Sequence, residues 1–488
     1  MTSIRSSVRW NAVSLGGRQG IRVATALLLA GMLGQANFGI MGMATVYVTF
    51  VVIFVQFGFG TALVQKEDLT TGDIGAATWL SLGSGALVSA LTLGLAPLVA
   101  DFFDTDELTS VLRVLAVLVL LKAFAIVPSS LLMREMRFAP LARAELAGAV
   151  AGSAAGITAA IVTDSYWAIV WQLIVMDAVT LIGILYVERR REWRTSRAEV
   201  RELSGFGAKL LGTNIVNFAS GNGDNVVIGR VEGTVALADY SLSYRVLSLP
   251  LQVVGQTVAR TILPTFSRLQ HDRPAVADLY YRSQRAIAAM VTGPLVVVAL
   301  ASHDAIPWAF GDEWSSAVTA TQWIAVAGIL RLVFGNGGAT MVAMGHPGWQ
   351  FWWSLTTTAV SVAGFIVGVR WGIEGVAASI VIVGLPLGLL GVAIVGRLIP
   401  VSPIGVLVRL APIAAAGASL LGLWWLVAQP SGDWPVVVRL VVRCAVTSAV
   451  YLGLVALIPA VRDDVLRLVR RADASPHAPS AESSTELS

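Results

Sequence analysis

The sequence predicts an all-α integral membrane protein, and three observations support this fold class: composition, the length of the apolar stretches and the placement of charge. Of the 488 residues, 56% are apolar and 13% are charged, and the mean hydropathy is +0.75. Soluble domains are typically about 45–50% apolar and about 25% charged. Most of this chain therefore cannot face water, which excludes a soluble enzyme, a coiled coil and a disordered chain.

About fourteen stretches are long and apolar enough to cross a bilayer, which takes about 20 mostly apolar residues each. They are 11–33, 39–64, 75–100, 108–132, 141–162, 166–187, 207–228, 237–266, 282–302, 317–344, 348–369, 375–396, 405–427 and 436–459. If both termini are cytoplasmic, the predicted inside segments hold 23 of the 34 Lys and Arg residues, and the outside loops hold only Arg230 and Arg370. This asymmetry favours fourteen helices with both termini inside.

The loops and the rare residue types exclude several function classes. The longest predicted outside loop, around 303–316, is too short for an external catalytic domain, so we predict that the chain is not an enzyme. No Lys stands in a phosphate-binding loop motif, which excludes an ATP-driven exporter. With Cys444 as its single Cys and four scattered His, the chain is expected to hold no metal and no cofactor.

An internal repeat is predicted by the most basic inside segment, 188–202, which has six predicted helices before it. The two halves align at an offset near 199, which matches the Gly-rich hairpin at 31–34 with the one at 229–233. Transporters are often built from such repeats, with the substrate site between them. The predicted parts are a six-helix lobe (1–195), a second six-helix lobe (196–400), helices thirteen and fourteen (401–465) and a disordered cytoplasmic tail (466–488).

Polar residues form stripes along three predicted helices. At 100° per residue, each of these helices has its polar residues on one face. On helix one they are Asn11, Ser14, Arg18, Arg22 and Thr25, and on helix seven Asn214, Asn217, Asp224 and Asn225. On helix eight they are Ser241, Arg245, Ser248, Gln252 and Gln256. Ionisable residues inside spans normally face a cavity or a partner helix. Interhelical hydrogen bonds or snorkelling are the alternative, and for Arg439 and Arg443 we favour a structural or lipid-facing role.

The charges in these stripes predict the sign of the cavity. Basic residues, with Lys122 and Arg331 among them, outnumber Asp177 and Asp224. A partly desolvated cationic pocket suits phosphate or pyrophosphate, because Arg can engage two phosphate oxygens at once.

Two segments resemble a known transporter family. In the first half, LGQANFG (33–39) and GFGTALVQ (58–65) match its hairpin and the helix that follows. In the second, NGDNVVIGR (222–230), YSLSYR (240–245), LPLQ (249–252) and PTFSRLQHD (264–272) match in order. Over roughly residues 5–400 the chain resembles the polysaccharide branch of the multidrug/oligosaccharidyl-lipid/polysaccharide exporter superfamily, the O-antigen and colanic-acid type flippases.

This resemblance implies a flippase that carries polyprenyl-pyrophosphate-linked oligosaccharide to the outer face of the plasma membrane by alternating access. Membrane lipids, a polysaccharide polymerase and glycosyltransferases are the implied partners, with no nucleic acid. The alternatives are a lipid-linked peptidoglycan precursor flippase and a multidrug or cation antiporter of the same superfamily, for which an acidic cavity is expected.

Stripes and motifs together define the candidate residues. The predicted substrate cavity is lined by Arg18, Arg22, Asn217, Asp224, Asn225, Tyr244, Arg245, Gln252 and Arg331. Asp177 and Asp224 are the candidate sites for coupling to H⁺ or Na⁺, or they balance the charge of the Arg residues.

Overall fold

The computed structural model describes residues 4–56, 58–190, 192–428 and 434–465; side chains of 4–16, 206, 208–210, 249, 250, 253–265, 267 and 268 lie outside the description. The predicted tail, 466–488, also lies outside it. The described residues form helices and turns, with no strand. The helices are α1 (Ile4–Gln56), α2 (Phe59–Gln65), α3 (Thr71–Phe103), α4 (Glu107–Arg134), α5 (Phe138–Thr163), α6 (Trp167–Val187), α7 (Arg197–Val231), α8 (Gly233–Arg268), α9 (Arg273–Phe310), α10 (Ser316–Phe334), α11 (Asn336–Ala343), α12 (Pro347–Gly368), α13 (Gly372–Val395), α14 (Pro403–Ala428) and α15 (Val436–Leu457).

The helices confirm the predicted all-α membrane fold. Ten helical stretches within the described ranges are long and apolar enough to cross a bilayer. All fourteen predicted stretches fall on helical segments, but the count of fourteen and the orientation of the termini stay predictions. The segment around 303–310, predicted as loop, is instead the last two turns of α9. That helix continues until Gly311, whose φ of 98° ends it.

A glycine with positive φ lies in each of the two Gly-rich hairpins. α1 is kinked at Gly34, which has φ 69° and ψ 173°, so it consists of two helices across the predicted hairpin. α8 begins at Gly233, with φ 83°, directly after the single turn residue that follows α7. Gly34 and Gly233 are 199 positions apart, the offset at which the two halves of the sequence align. Non-glycine residues rarely adopt this conformation, so the two hairpins share a backbone requirement as well as a sequence pattern.

Capping boxes fix the starts of α3 and α7. The Thr70 hydroxyl accepts a hydrogen bond from the backbone N–H of Asp73, and the Asp73 carboxylate accepts one from the backbone N–H of Thr70. Ser196 and Glu199 make the same reciprocal pair at the start of α7. Each box satisfies two N–H groups that a helix leaves without an internal partner, so both starts are set by local sequence.

The packing divides the chain into two compact units. The first consists of Met1–Leu249, Ile306–Ile324 and Leu355–Ile380, and the second of Pro250–Ala305, Ala325–Ser354 and Val381–Ser488. The predicted lobes, 1–195 and 196–400, are defined by the sequence repeat, and they stay a prediction.

Within the second unit, α14 and α15 pack against α9. The Tyr451 hydroxyl donates to the carbonyl of Ala289 at 2.8 Å. Arg443 pairs with Asp304 of α9 at 2.9 Å, and Arg439 lies 3.4 Å from the same carboxylate. These contacts give both arginines a structural role, one of the two roles that the sequence left open for them.

Candidate functional site

Two described residues of the polar stripe of α1, Arg18 and Thr25, contact α5 in the first unit, whereas the side chains of Asn11 and Ser14 lie outside the description. Arg18 forms an ion pair with Glu145 of α5. About two helical turns further along α1, the Thr25 hydroxyl donates a hydrogen bond to the Ser153 hydroxyl at 2.7 Å. Polar contacts of this kind hold membrane helices together, because lipid offers no hydrogen-bonding partner. Part of the predicted cavity stripe therefore also joins two helices.

A second ion pair lies beside the first. Lys122 of α4 and Asp177 of α6 are 2.7 Å apart. Arg22, whose side chain is exposed, interacts electrostatically with Asp177, Glu145 and Arg18. We call these five residues (Arg18, Arg22, Lys122, Glu145 and Asp177) the cationic cluster.

The cationic cluster carries three basic groups against two carboxylates, which leaves one positive charge in excess. Arg22 accounts for the excess, because Arg18 and Lys122 each have a carboxylate in direct contact. A charge in a span is costly unless it meets water or a partner. An exposed Arg22 at this place can bind an anion.

The predicted motif on α7 and α8 forms a compact hydrogen-bonded group around Asp224. Its carboxylate is buried, with 4% of the residue exposed. Oδ2 accepts hydrogen bonds from the hydroxyls of Tyr240 and Tyr244, both at 2.9 Å. Oδ1 accepts from the backbone N–H and the side-chain amide of Asn225, at 2.8 and 3.1 Å. Three of the predicted site residues, Asp224, Asn225 and Tyr244, are thus brought together.

Arg245 follows Tyr244 on α8 and stacks on an aromatic ring of α1. Its guanidinium carbon lies 4.9 Å from the centroid of the Phe38 ring. No carboxylate contacts Arg245 among the residues that the structure describes. A cation–π contact holds the guanidinium but leaves its N–H donors available, so Arg245 is a second group that can bind an anion.

The structure brings the remaining predicted residues into no described polar contact with these groups. Asn217 is exposed on α7. Gln252 is half-buried and Arg331 is exposed, and both belong to the second unit.

Sequence reasoning missed three polar partners: Glu145, Tyr240 and Asp239. Glu145 had a detectable signal, since it is the one acidic residue in the predicted fifth span. The buried Asp239 accepts a hydrogen bond from the Gln35 amide at 2.7 Å, and the same amide reaches the carbonyl of Glu313. Both partners lie far from Gln35 in sequence, so no local pattern indicates these bonds.

The two Gly-rich hairpins meet each other in the first unit, in a contact that we call the hairpin seam. Gly39 of α1 packs on the backbone of Thr234 at the start of α8, so closely that a Cβ atom would overlap its carbonyl. Beside it, Gly42 faces Leu237, and Phe38 meets Trp314 edge to face at 5.9 Å. The seam thus joins α1 to α8 through a glycine that allows close approach.

The helical fold carries ion pairs and an excess basic group within its spans, and such groups are typical of multi-pass membrane transporters. The model of the family "Polysaccharide biosynthesis protein" matches residues 28–319. The chain belongs to this family, which confirms the resemblance to the polysaccharide branch.

Individual proteins agree with this assignment. The chain is 26% identical over 398 residues to the teichuronic acid biosynthesis protein TuaB of Bacillus subtilis, covering 75% of this chain and 82% of that protein. It is 22% identical over 375 residues to the lipopolysaccharide biosynthesis protein WzxC of Escherichia coli, covering 74% of each chain. Its fold is similar to that of the lipid II flippase MurJ in an inward closed conformation, with a TM-score of 0.75 at 12% identity over 93% of this chain and 99% of the other. The chain is accordingly a multi-pass protein of a bacterial inner membrane.

Proposed function

We propose that this chain is a flippase that moves polyprenyl-pyrophosphate-linked oligosaccharide from the cytoplasmic to the outer face of the inner membrane by alternating access. The observation that carries the proposal is the excess positive charge of the cationic cluster, located at Arg22. A pyrophosphate group is a fitting ligand, because Arg donates two parallel hydrogen bonds to phosphate oxygens. The family match and relatives named for teichuronic acid and lipopolysaccharide biosynthesis support a lipid-linked glycan as the cargo.

In this mechanism the chain binds and reorients its cargo and breaks no covalent bond. Arg22 and Arg245 are separate binding groups for the pyrophosphate, the sugars lie in water, and the polyprenyl chain stays in lipid. Glycosyltransferases that build the unit and a polymerase that consumes it are the partners that such a cargo requires.

The two rival functions differ in what they need from the site. A cation antiporter needs a net acidic site, whereas the cationic cluster has an excess of basic groups. A peptidoglycan precursor flippase would use the same pyrophosphate chemistry, and the likeness to MurJ shows a shared fold without indicating a shared cargo. The polysaccharide family match is what favours the oligosaccharide.

The proposal is tested with purified protein in liposomes that contain a fluorescent polyprenyl-pyrophosphate oligosaccharide. We expect outward transfer by the wild type, measured by enzymatic capture of the sugar on the outer face. Arg22→Gln should reduce the rate about tenfold, because a hydrogen bond to a charged group contributes about 1.5–3 kcal/mol and the rest of the cluster stays in place.

The matched control is Arg143→Gln, which removes an exposed guanidinium on α5 outside the cationic cluster and should leave the rate unchanged. Transfer of a cationic dye but not of the lipid-linked sugar would contradict the proposal. Equal transfer of lipid-linked peptidoglycan precursor would instead support the rival flippase.

We also propose that Asp224 is the coupling site and that Asp177 balances charge. Asp177 is in direct contact with Lys122, and Asp224 is a buried carboxylate that accepts hydrogen bonds from hydroxyl and amide groups. In liposomes with an imposed H⁺ or Na⁺ gradient, Asp224→Asn should abolish the stimulation of transport by the gradient. Asp177→Asn should keep the stimulation but lower the melting temperature, because Lys122 loses its partner. The opposite pattern would assign coupling to Asp177.

A further inference from the structure

The segment that links α6 to α7, together with the first residues of α7, is held in the first unit by its acidic residues. We call residues 188–202 the basic linker. The buried Glu188 accepts from the guanidinium of Arg190 at 2.8–2.9 Å, and this hydrogen bonding holds the pKa of Glu188 below its usual range. Glu199 closes the capping box of α7, and Glu202 pairs with Lys66 at 3.1 Å. Glu188 also lies 3.5 Å from Arg137, directly before α5, so Glu188 and Glu202 tie the linker to other elements of the first unit while Glu199 fixes the start of α7.

Arg190 is therefore paired, but four other arginines of the linker are engaged far less. Arg189, Arg194, Arg197 and Arg201 are all exposed, and within the described part of the chain none of them pairs with a carboxylate. Arg189 lies over the ring of Tyr186, 5.3 Å from its centroid. Four guanidinium groups therefore stand on one short segment, with no acidic partner among the residues that the structure describes. We call them the linker arginines.

Aromatic residues place the linker arginines at the boundary of the bilayer. The span α6 ends at Val187, directly before the linker. Trp193 of the linker packs edge to face against Trp79 of the span α3, with ring centroids 5.6 Å apart, and the Trp79 indole donates to the Trp193 carbonyl at 3.0 Å. Trp79, Trp193 and Tyr186 are nevertheless 54%, 49% and 73% exposed. Trp and Tyr favour the level of the lipid head groups, where one part of the ring is in lipid and another is in water.

We propose that the linker arginines and this aromatic group form a binding site for acidic phospholipid head groups in the adjoining leaflet. The guanidinium groups bind the phosphodiester, and the exposed rings of Trp79, Trp193 and Tyr186 contact the glycerol and upper acyl region. Basic clusters next to a span attract anionic lipids, and each Lys or Arg strengthens this binding about fivefold. All the contacts that position the linker are made with residues of the first unit. The full chain by itself therefore carries the complete site.

The experiment measures the binding of fluorescent phosphatidylglycerol, relative to phosphatidylcholine, to the full-length protein in a neutral detergent. We expect a preference for phosphatidylglycerol that weakens as salt is raised. The variant R189Q/R194Q/R197Q/R201Q should bind phosphatidylglycerol at least about tenfold more weakly, since four contributions of this size are removed. Its folding is checked by its melting temperature, which should change little because the linker arginines make no described ion pair.

The matched control is R143Q/R273Q/R397Q/R462Q, which removes the same charge from four other exposed arginines. It should keep the preference. If the control loses the preference equally, or the linker variant keeps it, the lipid site is not at the linker and the proposal is wrong. The linker arginines would then be available to a soluble partner. Displacement of phosphatidylglycerol by millimolar inorganic phosphate would also overturn the proposal, since it would show a phosphate site that does not require a lipid.

Discussion

Replacing Gly39 with Leu is expected to reduce outward delivery of lipid-linked oligosaccharide about a hundredfold, the equivalent of ~3 kcal/mol. Even a Cβ at this position would overlap the carbonyl of Thr234. The obstacle is backbone, which cannot rotate away as a side chain can, so α1 and α8 must move apart at the hairpin seam. A transporter that alternates between two states must be able to close this seam in each cycle.

The matched control is Gly31→Ala, in α1 before the kink at Gly34, where the new methyl group would be in ordinary van der Waals contact with the ring of Phe310 at 3.5 Å and the carbonyl of Ala309 at 3.8 Å. It should transport at close to the wild-type rate. A second measurement separates an open seam from a misfolded protein. In a background without Cys444, Ser241→Cys on α8 should react faster with an external thiol reagent when Gly39 is replaced by Leu. Normal transport by the Leu variant would show that the seam does not need to close.

Replacing Arg245 with Gln is expected to abolish outward delivery, a loss of about a hundredfold, without loss of protein from the membrane. The effect should exceed that of Arg22→Gln, because Arg18 and Lys122 remain near Arg22 whereas no other cation has been found beside Arg245 among the described residues. Arg245→Lys should recover part of the rate, since it restores the charge but not the two-pronged geometry. The measurement is the same capture of sugar on the outer face.

Arg409→Gln is the control for this variant. Arg409 of α14 also stacks on an aromatic ring, with its guanidinium carbon 4.0 Å from the centroid of Tyr281, but it lies outside the candidate site. Its loss removes a cation–π contact of the same kind and should leave transport intact. A wild-type rate in Arg245→Gln would exclude an anion-binding role for Arg245, while Arg22 could still be tested separately.

Much of the fold could be predicted because it depends on local pattern. The apolar stretches follow from the cost of placing polar backbone and side chains in lipid, and the structure has helices at each of them. The importance of Gly34 and Gly233 could also be inferred from sequence, because the alignment of the two Gly-rich hairpins places them at equivalent positions. In the structure both residues have positive φ. The extension of α9 to Phe310 could not be predicted from sequence, because polar and aromatic residues after a span are compatible with either helix or loop.

The candidate site was predictable in its residue types but not in its pairings. The sequence alone determined that basic residues occur within spans, that a motif on the seventh and eighth helices carries Asp224, Asn225, Tyr244 and Arg245, and that the chain is a membrane transporter. Only the tertiary structure decided that Glu145 neutralises Arg18 and Asp177 neutralises Lys122, and so that Arg22 carries the excess charge. The physical reason is that spacing along one helix fixes which face a residue occupies, whereas an ion pair depends on which other helix packs against that face.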